Sequence, residues 1–288
     1  QFRSQFLHLV PGSNLLKSVW ENRSPIKKFE SAVYLPGEDD VVGSSFNLWR
    51  KSELKPEAGD VEPFLQHLEN LFPDEDERSL VLDYLHFIAC RPGIKLNFAL
   101  VIYGMPGIGK SILGKLLCKL LGTHNVCFPS NDEVNSWWTL WQQGKSLAII
   151  EELMMNNRRD FIDRMKTVIT EPQLRIEAKG SNLYSIPNKL NLLANTNHHN
   201  ALSLDENDRR WLVIESPMKP QSKDYYARTI AFFESDAGAA AVLDHLERHI
   251  PKLDPFGRAP MTKAKKKMIA SSRPAWFQDL ENAWNDNE

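Results

Sequence analysis

The sequence predicts an α/β protein with a central parallel sheet flanked by helices, and three stretches predict it. An apolar run over residues 97–103 passes at once into Gly104-Met105-Pro106-Gly107-Ile108-Gly109-Lys110-Ser111, and a helical pattern follows from Ile112 to Leu121. A second run, Leu147-Ala148-Ile149-Ile150, ends in Glu151-Glu152, and a third, Leu190-Asn191-Leu192-Leu193-Ala194, ends in Asn195-Thr196-Asn197. Strands this continuously apolar belong in sheets covered on both faces.

The first stretch carries the most chemistry. Gly104, Gly109, Lys110 and Ser111 fit G-x-x-x-x-G-K-[ST] in full. A triphosphate packs several negative charges into a small volume, so backbone N–H groups must approach it without Cβ atoms in the way, which glycine permits. The helix that follows turns its positive dipole end toward the same anion. Residues 104–112 are therefore the expected nucleotide-binding loop, with Lys110 reaching the β/γ-phosphates and Ser111 a ligand of Mg²⁺ held through the nucleotide.

The second stretch follows at a telling distance. Strands often end in acids, but here the pair lies 40 residues beyond a phosphate loop. One carboxylate can hold Mg²⁺ through water while the other polarises an attacking water. Glu151 is assigned to the metal and Glu152 to the base, with the reverse assignment open. In the third stretch, the Asn197 amide can orient the lytic water or contact the γ-phosphate; an asparagine simply making a turn is the plainer reading.

Composition narrows the class. With 288 residues, 42% hydrophobic and 25% charged, the chain has material for one large domain or two ordinary ones. No apolar run approaches a membrane span and no signal peptide is evident at Gln1, so an intracellular location and no membrane partner are expected. Net charge is −2, so any nucleic-acid partner must be held by a local array of Lys and Arg. Cys90, Cys118 and Cys127 lack metal-ligand spacing and read as small apolar residues in a reducing compartment.

The remaining elements fall around this core. Residues 1–94 read as a mixed region, turn-rich at first and then helical, with one helix marked by Val61, Phe64, Leu65 and Leu68 and a second after Asp74 running through Ile88 until Arg91-Pro92-Gly93 stops it. A helix capped by Ser130 or Asp132 is expected to carry Trp137, Trp138 and Trp141 into the core. After a helix over residues 161–169, residues 173–186 read as a β-hairpin with Lys179-Gly180-Ser181-Asn182 at its tip. Arg209 and Arg210 stand just before another strand, where a guanidinium can meet phosphoryl oxygens of a neighbouring subunit or simply pair with Asp208. Residues 217–288 are helical, and Lys263 to Lys267 form a basic cluster expected to be a solvated face.

Together these motifs resemble the superfamily 3 helicases, the AAA+-type motors of viruses, phages and plasmids, and among them the phage primase-helicase type. Residues 104–111 resemble motif A, 147–152 motif B, 166–186 the B′ element and 192–197 motif C, over a core of residues 95–216. The resemblance implies a P-loop NTPase with a pre-sensor hairpin and a small helical N-terminal unit, the latter a candidate oligomerisation collar. It implies that Asn197 is the sensor, that Arg210 is the arginine finger with Arg209 second choice, and that Lys179 and Gly180 contact DNA. A hexameric ring hydrolysing ATP with Mg²⁺ and drawing single-stranded DNA through its centre is implied, alongside a fused or separate primase or polymerase in the cytoplasm of a bacterial host. One departure is that Ser181 and Asn182 follow Gly180 where relatives often carry a second basic residue, which shifts weight onto Arg175. The rival class is an AAA+ switch that loads a partner without unwinding; a small-molecule kinase lacks an acceptor site, and Asn188-Lys189-Leu190-Asn191 lacks the Asp that reads guanine.

Overall fold

A computed structural model describes residues 29–153, 158–177 and 183–272. Five parallel strands form the central sheet: β4 (Ala99–Gly104), β5 (Val126–Cys127), β6 (Leu147–Ile150), β9 (Asn191–Thr196) and β10 (Trp211–Ser216), in the order β10-β4-β9-β6-β5. Each of the three predicted core strands is present, and their alternate residues feed two separate cores. Leu100, Ile102, Leu147, Ile149, Leu193, Leu212 and Ile214 face one, whereas Ala99, Val101, Ala148, Ile150, Leu192, Ala194, Trp211 and Val213 face the other. This is why the strand sequences show no polar alternation.

On the first face lie α1 (Glu62–Leu71), α2 (Glu75–Cys90), α3 (Lys110–Leu121), α6 (Lys223–Glu234) and α7 (Asp236–Arg248). Asp74 caps α2 by accepting from the Glu77 amide, and the helix ends before Gly93, whose φ of +88° suits glycine. The α2 residue Tyr84 is fully buried and donates to the Leu192 carbonyl at 2.6 Å, which seats that helix on β9. Helices before and after the central strands in sequence thus share one core.

The second face is covered by α5 (Arg158–Thr170) and α8 (Lys263–Ser272), which contribute Phe161, Met165, Ile169, Met268 and Ile269. The expected hairpin is there: β7 (Gln173–Ile176) pairs antiparallel with β8 (Tyr184–Pro187), and its tip, with Lys179 and Gly180, lies outside the described residues. Near the start, β1 (Ser31–Val33), β2 (Val41–Val42) and β3 (Ser45–Asn47) form a small sheet. Tyr34 ties it to the edge of the main sheet by donating to Asn125 Oδ1 at 2.8 Å.

Two expectations need correction. The helix after Ser130 is the single short α4 (Asn131–Asn135), closed by a capping box between Ser130 and Glu133. The chain leaves it before the tryptophans, so Trp137 and Trp138 are 76% and 45% exposed instead of packed in the core. The basic cluster is not a solvated face throughout either. Lys265 is wholly buried and paired with Asp208 at 3.2 Å, while Lys263 and Lys267 pair at the surface with Asp74 and Glu215. Among the described residues no helix is long and apolar enough to cross a membrane.

Candidate functional site

The register of the sheet assembles the site. β4 pairs with β9 as Tyr103↔Thr196, and β6 pairs with β9 as Ile150↔Ala194, so the carboxyl ends of three adjacent strands finish side by side. Residues 106–112, Glu151, Glu152 and 195–197 thereby line one cleft of about 310 Å³, joined by Tyr226 and Ile230 from α6. A crevice at the carboxyl ends of parallel strands is where open α/β sheets place ligands.

Within the loop the backbone demands glycine twice. Gly107 and Gly109 have φ of +77° and +96°, and a Cβ on Gly109 would come within 2.9 Å of the His67 ring and 3.1 Å of Tyr226. Lys110 opens α3 and is buried; its amine donates to the Gly104 carbonyl, the Met105 carbonyl and Asn197 Oδ1, each at 2.8 Å. Those three oxygens use all three ammonium donors. Burial holds this amine below the ordinary lysine range, an effect opposed by the charges of Glu151 and Glu152.

Ser111 Oγ donates to Glu151 Oε2 at 2.6 Å, and Asn195 Nδ2 donates to both oxygens of Glu151 at 3.2 and 3.3 Å. A hydroxyl and a carboxylate in contact offer the hard oxygen ligands that Mg²⁺ prefers, so this pair fits the ion. The Oδ1 of Asn195, buried beside them, has no hydrogen-bond partner. Glu152 is exposed and sits at φ +53°, the only non-glycine residue in the left-handed region among those described. Holding that conformation costs on the order of 1 kcal/mol.

Sequence reasoning missed two members of this constellation. Asn195 carries the same signal as Asn197, since residues two apart on a strand share a face, while Thr196 between them donates away from it to the Leu153 carbonyl. His67, on α1, had no local signal. Its ring is fully buried, with Nε2 3.3 Å from the Gly109 carbonyl and Nδ1 2.8 Å from the Tyr225 hydroxyl. Burial pushes its pKa down to about 4, so the ring is neutral and has one N–H. A carbonyl can only accept, so Nε2 carries the proton and Tyr225 donates to Nδ1, itself accepting from Asn70 Nδ2. The glycine loop is thus braced from behind by α1 and α6.

Not every predicted residue reaches this cleft. β10 begins at Trp211, opposite Ala99 at the start of β4, so Arg209 and Arg210 stand at the other end of the sheet from Gly104. Six strand residues separate the two ends by about 20 Å. Arg209 is exposed; Arg210 is half-buried, with Nε 3.5 Å from Thr170 Oγ1. Asp208 accepts from the amides of Arg210 and Trp211 and is held by Lys265, so the loop carrying both arginines is clamped from the interior. Arg175 is exposed on β7, apart from the cleft residues. Among the described residues no cluster of His, Cys, Asp and Glu could hold a metal on its own.

The fold and cleft define an α/β protein with a five-stranded parallel sheet and a glycine loop at its carboxyl edge. Residues 102–210 match a protein family of unknown function, DUF5906. The chain is homologous to the DNA primase-polymerase of Nitratiruptor phage NrS-1, with 30% identity over 151 residues, covering 51% of this chain and 21% of that protein. It therefore spans about a fifth of the length of the curated relative it matches. Among solved structures it is similar to the apo C-terminal region of NrS-1, at a TM-score of 0.73 and 22% identity over 89% of this chain and 68% of that one. A second apo form of that region matches at a TM-score of 0.70, with 22% identity over 84% of this chain and 60% of that one.

Proposed function

We propose that this chain is the ATP-driven helicase module of a phage replication protein, of the superfamily 3, AAA+ type, acting as a homo-oligomeric ring on single-stranded DNA. The observation that carries the reading is the convergence of Lys110, Ser111, Glu151 and Asn197 at the ends of three neighbouring strands, behind a glycine loop closed onto a helix. Residues 95–216 are the ATPase core, 1–94 is the candidate oligomerisation collar, and the described helices α1, α2, α6 and α7 cover one face of the core's sheet. Homology to a primase-polymerase supports a place in phage DNA replication, with priming or polymerisation done by other residues.

The chemistry follows from the side chains. The loop amides and the α3 terminus bind the phosphates, and the Lys110 amine exchanges its carbonyl partners for β/γ-phosphate oxygens, a stronger charge-assisted contact. Asn197, released by Lys110, is then available to the γ-phosphate or the lytic water. Ser111 and Glu151 would hold Mg²⁺, which supplies neutralisation of charge developing on the transferred phosphoryl group. Glu152, exposed at the cleft, orients and deprotonates the attacking water. Arg209 and Arg210 lie too far away to serve the cleft of their own chain, so they serve a neighbour's.

The test measures ATP hydrolysis and strand separation for the wild type, Lys110→Ala and Lys179→Ala. Lys110→Ala should lose both activities, with hydrolysis falling about a thousandfold. Lys179→Ala should bring the ratio of DNA-stimulated to basal hydrolysis close to one and stop unwinding. Hydrolysis that survives Lys110→Ala refutes the phosphate-loop reading. Normal unwinding by Lys179→Ala refutes the hairpin assignment, whereas a wild type that hydrolyses ATP without separating strands favours a loading switch.

A further inference from the structure

β9 lies between β4 and β6, and the residues at its carboxyl end reach toward both neighbours. Asn197 accepts from Lys110, which follows β4, whereas Asn195 donates to Glu151, which follows β6. Residues two apart on a strand share a face, so both asparagines meet the same cleft. Asn195 is the costly one. It is 2% exposed, and its Oδ1 is buried with no hydrogen-bond partner, an arrangement that lowers stability and that an apolar side chain of the same shape would avoid.

We propose that Asn195 is a positioning residue: it holds the Glu151 carboxylate in the orientation that receives nucleotide-bound Mg²⁺. Its Nδ2 donates to Oε2 at 3.2 Å and to Oε1 at 3.3 Å, so one amide spans both oxygens and restrains their rotation. Ser111 Oγ adds a third bond, to Oε2 at 2.6 Å. A carboxylate has about four acceptor sites, so one is left, on Oε1. A glutamate has one more rotatable bond to fix than an aspartate, so its oxygens need a partner that the shorter acid could do without. Groups that hydrogen-bond a ligating carboxylate orient it, and losing one weakens metal binding about 10- to 100-fold.

α3 is shaped around the same carboxylate. Ser111 and Gly114 stand three residues apart on one face of that helix, and a Cβ on Gly114 would come within 3.3 Å of Ile149 and 3.6 Å of Glu151 Oε1. The helix therefore packs close against β6, and the carboxylate is enclosed by Ser111, Gly114 and Asn195. This inference rests on the reading of the cleft as an Mg²⁺-nucleotide site and adds a residue whose link to the ion runs through Glu151.

The test titrates the full chain with N-methylanthraniloyl-ADP, in Mg²⁺ and in EDTA, and reads the factor by which Mg²⁺ tightens binding. Asn195→Leu, close in shape to asparagine, should cut that factor about tenfold and leave the affinity in EDTA within about twofold of wild type. Its midpoint of denaturant unfolding should equal or exceed that of wild type, since the orphaned oxygen is gone. Asn195→Ser, too short to span to Glu151, should lose the same factor, so the result does not hang on one variant folding. In a Glu151→Gln background, Asn195→Leu should change the factor no further, because its effect passes through that carboxylate. The role is overturned by an unchanged factor, by an equal loss with and without Mg²⁺, by a midpoint lowered along with both affinities, or by full additivity with Glu151→Gln. The two readings fail separately. Mg²⁺-dependent binding by wild type that persists in Asn195→Leu removes the Asn195 assignment alone, and a wild type that binds no nucleotide in either condition removes the nucleotide cleft and this inference with it.

Discussion

The two ends of the central sheet are built on opposite terms. At the carboxyl ends, Lys110 and Glu151 are satisfied within the chain, by Asn197 and two carbonyls in one case and by Ser111 and Asn195 in the other. At the amino ends, the buried pair Lys265–Asp208 spends its bonds on holding a loop still, while Arg209 on that loop faces outward. One end gathers polar groups that satisfy one another around a cleft, and the other holds a loop rigid and leaves a cation facing outward. In the ring proposed above, Arg209 and Arg210 would reach the cleft of a neighbouring copy from the far side of the sheet.

The comparison breaks most visibly at the amino ends. Lys265→Met should lower stability by about 3 kcal/mol, because it strands the Asp208 carboxylate in the interior. Adding Asp208→Asn should recover much of the loss, since an uncharged pair leaves no buried charge. Denaturant unfolding measures both, and a cost under about 1 kcal/mol for Lys265→Met would show that the clamp is not structural.

At the carboxyl ends, His67 makes stability depend on pH. Its pKa lies at about 4 in the folded chain against an ordinary 6.5, so between those values the unfolded chain binds a proton that the folded chain refuses. The contribution is full above pH 6.5 and is lost as pH falls through 4, a change of roughly 3 kcal/mol. Unfolding free energies at pH 7 and pH 4.5 should diverge less in His67→Gln than in the wild type. Equal slopes in the two would mean that the imidazole protonates without opening the structure.

The smallest effect sharpens the role of the arginines. Doping Arg209→Ala subunits into wild type should cut ATP turnover per intact subunit severalfold, with Arg210→Ala acting more weakly because its side chain already rests against Thr170. Turnover unchanged at every mixing ratio would confine each active site to its own chain.

Much of this was legible in the sequence, for a reason that holds element by element. Gly104, Gly109, Lys110 and Ser111 answer to local backbone geometry, and the apolar runs before Glu151 and Asn195 reflect burial on two faces, so the strands, the loop and the hairpin could be placed from residue order alone. Trp137 was misread because exposure depends on where α4 stops, and a capping box ending after one turn leaves no periodic signal. Lys265 was misread because its partner lies 57 positions away.

By itself, then, the sequence determined what short-range geometry and two-sided burial dictate: a parallel α/β core, a glycine loop and acids at strand ends. Only the tertiary structure decided which distant residues support that loop, namely His67 and Tyr225, and which lysine of a basic run is buried. It alone set the arginines at the sheet's far end. These are contacts between segments far apart in the chain, fixed by register and packing, and no local pattern of residues encodes them.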